Sequence, residues 1–73
     1  MKECTNIQEF IDYVEEGIAK SKKRNHNYFG VFDIKFSPEV IAMNSKIYFL
    51  GKGYNVEMTE CKSCKSFDFI FSW

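Results

Sequence analysis

The 73-residue sequence predicts an α+β domain in which two helices pack on one face of a three-stranded antiparallel sheet. Three observations lead to this class: an amphipathic helical pattern near the N-terminus, a central segment of alternating apolar residues, and a C-terminal stretch with the period-two pattern of a β-hairpin. The length fits one domain spanning residues 1–73. Thirteen aromatic residues make a small core built largely of rings feasible (eight Phe, four Tyr and one Trp).

The first predicted helix begins near Thr5, which together with Gln8 matches a capping box. Apolar residues then follow at helical spacing: Ile7, Phe10, Ile11, Val14 and Ile18. Acidic residues occupy its first half and basic residues its end, as the helix dipole favours. The segment 25–27 is the predicted exit loop.

Residues 28–36 form the first predicted strand, by composition and alternation. Alternation divides its side chains between the core face (Phe32, Ile34 and Phe36) and an open face (Phe29, Val31, Asp33 and Lys35). The open face of the sheet is therefore expected to carry Phe29 and Val31, together with Ile70 of the last strand.

The second predicted helix starts with Ser37 as the N-cap and Pro38 as the first helical residue, and Gly51 or Gly53 ends it. Apolar residues keep helical spacing along it: Val40, Met43, Ile47 and Leu50. Residues 46–51 also fit a strand followed by a turn at 51–53, which gives a four-stranded alternative. The start signals favour the helix.

The C-terminal hairpin is predicted from alternation in both arms: Tyr54, Val56 and Met58, then Phe67, Phe69, Phe71 and Trp73. A four-residue loop, 62–65, is favoured over a two-residue turn at 62–63, because Lys-Ser lacks the positive-φ residues that such turns prefer. Either loop places the alternating apolar residues on one face. The last strand is the most apolar, so it is predicted to lie between the other two.

Composition limits the functional classes. Ten basic and ten acidic side chains give a formal net charge of zero, which excludes a polycation or an acidic nucleic-acid mimic. No apolar run approaches the ~18 residues of a membrane span, and the N-terminal residues do not resemble a signal peptide. We therefore expect a cytoplasmic protein without membrane contact, whose three cysteines are reduced thiols.

The predicted elements are an amphipathic helix, a strand, a proline-started helix running into Gly53-Tyr54-Asn55-Val56, and a final strand ending in Phe71-Ser72-Trp73. In this order of elements and in these two short sequence pieces, the chain resembles many small uncharacterised bacteriophage proteins. Those chains often close with a Gly-Tyr-x-Val strand and a terminal Ser-Trp, although Ile more often precedes the Ser-Trp. The resemblance implies an accessory protein made in the cytoplasm of an infected bacterium. It transfers no activity and no residue role.

Cys61 and Cys64 form a Cys-x-x-Cys pair in the hairpin. A structural zinc site needs four ligands, and about 19 helical residues hold Cys4 and His26 nearly 30 Å apart, so both cannot join one ion. A β-turn also lacks the helix dipole that activates redox pairs. We expect no metal and no cofactor, with a metal-bridged dimer through the pair as the remaining alternative.

The sequence contains no recognisable catalytic set, since its single histidine belongs to no nucleophile–base signature. On a helical wheel Phe49 points away from the expected core side, and Phe29, Val31 and Ile70 lie on the open face of the sheet. Exposed apolar anchors are typical of protein interfaces. The sequence therefore predicts a non-enzymatic, protein-binding module, acting as a modulator or inhibitor of a host protein or as a homodimer.

A small nucleic-acid-binding module is the alternative. The run 20–29 places basic residues before aromatic ones, so phosphates would meet Lys20, Lys23 and Arg24 while a base stacks on Tyr28. The same basic residues also complete the helix dipole, which explains them without a ligand. Binding to nucleic acid is the less favoured prediction.

Overall fold

The computed structural model describes residues 3–73. The elements follow in the order β1 (Glu3–Cys4), α1 (Ile7–Lys23), β2 (Tyr28–Phe36), α2 (Val40–Gly51), β3 (Asn55–Cys61) and β4 (Ser66–Ser72). The strands form one sheet in the order β1-β2-β4-β3, in which β1 runs parallel to β2 and the other neighbours are antiparallel. Side chains of both helices and of the inward sheet face form one buried core. Within residues 3–73, no helix is long and apolar enough to cross a membrane.

The α+β class with two helices is confirmed, but the predicted count of three strands is wrong. The three long strands lie in the order β2-β4-β3, so β4 is flanked by the other two as expected, and β1 adds a fourth strand at the edge. Cys4 of β1 pairs with Phe36 and is almost fully buried. A two-residue strand contains too few side chains to show a period, so alternation could not reveal it.

Helix α1 has the predicted buried face but a different cap. The Asn6 side chain, not that of Thr5, accepts a hydrogen bond from the Gln8 backbone N–H at 2.8 Å. Asparagine is among the best N-cap residues, and its position shortens the predicted helix by one residue. The helix ends after Lys23, where Arg24 donates its backbone N–H to Lys20 and Ser21 carbonyls.

Helix α2 is a helix rather than a strand pair, but the predicted inward face is wrong. Its buried residues are Ile41, Ala42, Ser45 and Phe49, whereas the four residues chosen by spacing are exposed: Val40, Met43, Ile47 and Leu50. This helix is apolar on nearly all sides, so helical spacing fits either face and cannot select one. The predicted start is also displaced, because Glu39 is the N-cap residue and Ser37 donates its N–H to the Cys4 carbonyl.

Strand β2 contains a β-bulge that reverses the predicted faces of its first half. The register with β4 shifts between Val31 and Ile34, and Asp33 adopts a positive φ of 58°. The Asp33 backbone N–H donates to the Asp68 carboxylate at 2.8 Å, which holds the irregular segment against β4. One extra residue moves later side chains to the opposite face. Val31 and Ile34 therefore both point into the core, and Phe32 is exposed.

The β3–β4 hairpin follows the sequence prediction. Cys61 pairs with Ser66, so the connection is the favoured four-residue loop, with Lys65 at a φ of 55°. Met58 lies opposite Phe69, and the inward residues of β4 are all buried: Phe67, Phe69 and Phe71. Alternation over seven residues was sufficient to identify both arms and their common face.

Candidate functional site

Two of the four residues predicted to bind a protein are core residues. Phe49 is fully buried and packs edge-on against Phe71, with ring centroids 4.9 Å apart. Val31 is only 5% exposed, because the bulge turns it inward. The predictions that Phe49 and Val31 form a binding surface are therefore wrong.

The other two predicted residues lie at different depths. Phe29 is half-buried, faces α1, and packs so closely on Gly17 that a side chain there would overlap its ring. The prediction that Phe29 is on the open face is thus also wrong. Ile70 is exposed on the open face of the sheet, as expected. Whether it contacts a partner stays a prediction.

The largest group of exposed apolar side chains lies on α2, and we call it the α2 stripe. It consists of Val40 (56% exposed), Met43 (47%), Ile47 (59%) and Leu50 (47%). These positions project to one side of the helix, opposite the buried residues Ile41, Ala42, Ser45 and Phe49. Together they expose roughly 400 Å² of surface, which is the size of the largest apolar patch on a typical monomer, and such patches are often functional.

Sequence reasoning missed the α2 stripe because it assigned these residues to the core. A signal was present: the segment 40–50 is apolar on too many sides for a helix that covers only one face of a sheet. A helix of that composition has apolar residues on both its buried and its exposed side.

A second, smaller apolar area, the sheet patch, lies on the open face of the sheet. It consists of Tyr28, Phe32 and Ile70, of which Phe32 is the most exposed at 61%. The Phe32 ring lies over Gly30, since a Cβ at that glycine would meet the ring at 2.8 Å. Ile70 is the cross-strand partner of Gly30. The glycine thus provides the space in which the two exposed apolar side chains lie close together.

Three of the four predicted nucleic-acid contacts lie around one depression, which we call the α1–β2 cleft. The cleft has a volume of about 330 Å³ and lies between the last turns of α1 and the start of β2. Its lining includes Lys20, Arg24 and Tyr28 together with His26, whereas Lys23 is not part of it. Gly17 and Gly30 also contribute to its walls.

The charges in the α1–β2 cleft are partly compensated. Lys20 forms an ion pair with Glu16 at 3.2 Å, whereas Arg24 belongs to neither of the two ion pairs present in residues 3–73. The His26 and Tyr28 rings meet edge-to-face at 5.9 Å. The His26 backbone N–H also donates to the Ser21 carbonyl at 2.9 Å, which holds the loop against the helix end. The cleft therefore presents one uncompensated guanidinium beside two aromatic rings.

The hairpin loop brings two thiols near one hydroxyl. The Ser63 hydroxyl lies 3.5 Å from the Cys61 sulfur and 3.9 Å from the Cys64 sulfur. Hydrogen bonding by Ser63, followed by that of Cys64, lowers the pKa of the Cys61 thiol, and the neighbouring Cys61 raises the pKa of Cys64. Within the described part of the chain, no three His, Cys, Asp or Glu side chains are grouped to hold a metal ion.

Cys4 is a different kind of thiol. It is buried at the β1 edge, and its sulfur lies 3.2 Å from the Asn6 carbonyl oxygen, to which it donates. Burial raises the pKa of this thiol. It is therefore a core residue and does not belong to the hairpin pair.

Comparisons of the chain with models of known protein families, with curated proteins and with solved structures gave no match. The features of the chain that bear on its function are therefore the α2 stripe, the sheet patch, the α1–β2 cleft and the hairpin thiols.

Proposed function

We propose that this chain is a small, non-catalytic protein-binding module that uses the α2 stripe as its contact surface. The observation that carries the proposal is the exposure of four large apolar side chains on one side of a helix: Val40, Met43, Ile47 and Leu50. Scattered single apolar residues are common on protein surfaces, whereas the largest contiguous apolar group on a small protein is often a functional surface.

The energetics favour a protein as the ligand. Burying roughly 400 Å² at about 25 cal/mol per Å² contributes about 10 kcal/mol in gross terms, comparable with the cost of associating two macromolecules. The helix needs no ordering on binding, since Phe49 and Ala42 already anchor its other side in the core. A preformed apolar helix face is the surface that another helix or a hydrophobic groove recognises.

The distribution of reactive groups supports a role without catalysis. Cys4 is buried at one sheet edge, the Cys61–Cys64 pair lies in the hairpin loop, and His26 lines the α1–β2 cleft. Catalysis by a nucleophile and a base needs both groups within hydrogen-bonding reach of each other. In the phage setting implied by the sequence resemblance, such a module inhibits or modulates a host protein in the bacterial cytoplasm, either directly or as a homodimer.

The test is a pull-down of the tagged protein from lysate of its source cell, with nuclease present. Ile47→Glu places a charge in the centre of the α2 stripe and is expected to abolish capture of a specific protein. Ala19→Glu is the matched control, because it introduces the same charge at an exposed apolar position of α1. Circular dichroism checks that both variants are folded. Equal capture by the two variants would contradict the proposal.

A second candidate function is binding of single-stranded nucleic acid in the α1–β2 cleft. The observation that favours it is that Lys20, Arg24 and Tyr28 line one cleft beside His26. The guanidinium would meet a phosphate, and a base would stack on an aromatic ring. This function needs no contribution from the α2 stripe.

The two candidates are separated by salt and by charge reversal. Fluorescence anisotropy with a labelled oligonucleotide should show affinity that falls steeply with salt, since phosphate contacts release counterions. Arg24→Glu should abolish binding, whereas Lys23→Glu, the same change outside the cleft, should weaken it only slightly. Equal losses would indicate a diffuse basic surface instead of a site.

A further inference from the structure

We propose that the α2 stripe is the interface of a homodimer in which the α2 helices of two copies lie parallel to each other. This inference rests on the proposed function, because it names a second copy of the chain as the protein that the stripe binds. The first support is the spacing of the four exposed residues, which are separated by three, four and three positions: Val40, Met43, Ile47 and Leu50. That spacing is the a/d pattern of a helix that packs against one other helix.

The residue types at these positions match a parallel two-helix seam. The a positions hold β-branched residues, Val40 and Ile47, and the d positions hold the unbranched or γ-branched Met43 and Leu50. In parallel helix pairs, β-branched side chains at a and leucine-like side chains at d favour the two-stranded state.

The residues that flank the stripe also favour the parallel orientation. Lys46 occupies the g position beside the seam, and Asn44 occupies the e position on the other side. With antiparallel helices in full overlap, Lys46 of one copy would face Lys46 of the second copy across the two-fold axis, which is unfavourable. With parallel helices, Lys46 faces Gly51 of the second copy and Glu39 faces Asn44, so no like charges meet.

The area buried between the two α2 stripes determines the affinity that we expect for the dimer. Each copy contributes roughly 400 Å², so two copies would bury about 800 Å² in total, which is the size of a weak, transient interface, and we expect dissociation in the micromolar range or above rather than an obligate dimer. In a dimer with a two-fold axis both copies contribute the same surface, so the α2 stripe of one copy packs against the α2 stripe of the other. The sheet patch and the α1–β2 cleft remain uncovered in this arrangement, because the stripe lies on the opposite side of α2 from the core.

Sedimentation equilibrium over a concentration series tests self-association. We expect a reversible monomer–dimer equilibrium that Ile47→Glu abolishes and that Ala19→Glu leaves unchanged. Asn44→Lys should strengthen the dimer at least severalfold by placing a lysine opposite Glu39 of the second copy, and Asn44→Glu should weaken it. A monomer at all concentrations, or a dimer unaffected by Ile47→Glu, would overturn the inference.

Disulfide cross-linking tests the orientation, in a background where Cys61 and Cys64 are replaced by serine. Parallel helices bring Val40→Cys of both copies together, so this variant should form a covalent dimer with itself. In an antiparallel pair the two cysteines would be about 15 Å apart, beyond disulfide reach, and the cross-link would form between Val40→Cys and Leu50→Cys chains instead. That mixed product would overturn the parallel arrangement.

The same variants distinguish failure of this inference from failure of the proposed function. If the wild-type chain is monomeric but Ile47→Glu loses a captured protein, the stripe binds a different protein and only the homodimer is refuted. If Ile47→Glu changes neither sedimentation nor capture, both proposals are refuted together.

Discussion

Replacing Gly17 with alanine should destabilise the protein, although alanine is the better helix former. A Cβ built on Gly17 would overlap the ring of Phe29, whose Cε2 atom would lie only 2.6 Å away. The ring is held between α1 and β2 and also packs against Tyr13 at a centroid distance of 6.4 Å. Phe29 must therefore move for the alanine to fit.

The magnitude follows from two opposing effects. A glycine-to-alanine change in a helix interior contributes about 1 kcal/mol of stability, whereas forcing a packed side chain to move costs about 1–3 kcal/mol. We expect the free energy of unfolding to fall by about 1 kcal/mol, which lowers the melting temperature by about 4–8 °C in a domain of this size. Urea unfolding followed by circular dichroism measures the free energy of unfolding, and a thermal scan followed by the same signal measures the melting temperature.

A double-mutant cycle isolates the steric cause. Combined with Phe29→Ala, the Gly17→Ala change should become stabilising by about 1 kcal/mol, because only the gain in helix propensity remains. Gly51→Ala is the control: a Cβ there meets no atom within 4 Å, so we expect a gain of about 0.5 kcal/mol. If Gly17→Ala is as stable as the wild type in the presence of Phe29, the argument from close packing is wrong.

Two further predictions concern α2 and the hairpin loop. Phe49→Ala should lower the free energy of unfolding by about 3–5 kcal/mol, because the ring is fully buried. Ile47→Ala, at an exposed position, should change the free energy of unfolding by less than about 0.5 kcal/mol in dilute solution. Urea titrations of both variants measure these changes. Cys61 should be alkylated faster than Cys64 at about pH 7–8, because a lowered pKa gives it the larger thiolate fraction, and Ser63→Ala should reduce that difference. Peptide mapping of iodoacetamide adducts over a pH series measures the rates, and faster modification of Cys64 would contradict the assignment.

The sequence was sufficient where a period ran over many residues. Alternation along the C-terminal hairpin identified both arms, the lack of positive-φ residues at Lys62-Ser63 favoured the four-residue loop, and the apolar character of the last strand predicted its position between β2 and β3. The apolar spacing in α1 identified its buried face. In both segments one side is apolar and the other polar, so only one assignment of the buried face fits the pattern.

The sequence was insufficient where a pattern had two solutions or depended on a distant residue. Helix α2 is apolar around most of its circumference, so spacing alone could not decide between Phe49 and Ile47 as the buried residue. The bulge residue Asp33 in β2 is hydrogen-bonded to the carboxylate of Asp68, which lies 35 positions away. No local window contains that interaction.

The α1–β2 cleft was partly predictable. Lys20 and Arg24 are four positions apart on one side of α1, so their proximity follows from helix geometry. Tyr28 joins them because the chain turns directly after the helix, where Asn25 adopts a φ of 64°. Lys23 lies about 60° around the helix from Lys20, away from Arg24, and therefore points outside the cleft.

The bulge in β2 also divides the strand into two halves, and the alternating pattern of positions that tolerate polar substitutions is shifted by one residue between them. In saturation mutagenesis, polar substitutions should be rejected at Val31, accepted at the two following positions, and rejected again at Ile34 and Phe36. Deleting one of the two bulge residues would restore uninterrupted alternation with Val31, Ile34 and Phe36 still on the core face, whereas deleting Lys35 would shift Phe36 to the opposite face. The strand should therefore tolerate the loss of one residue at its bulge better than the same loss elsewhere along its length.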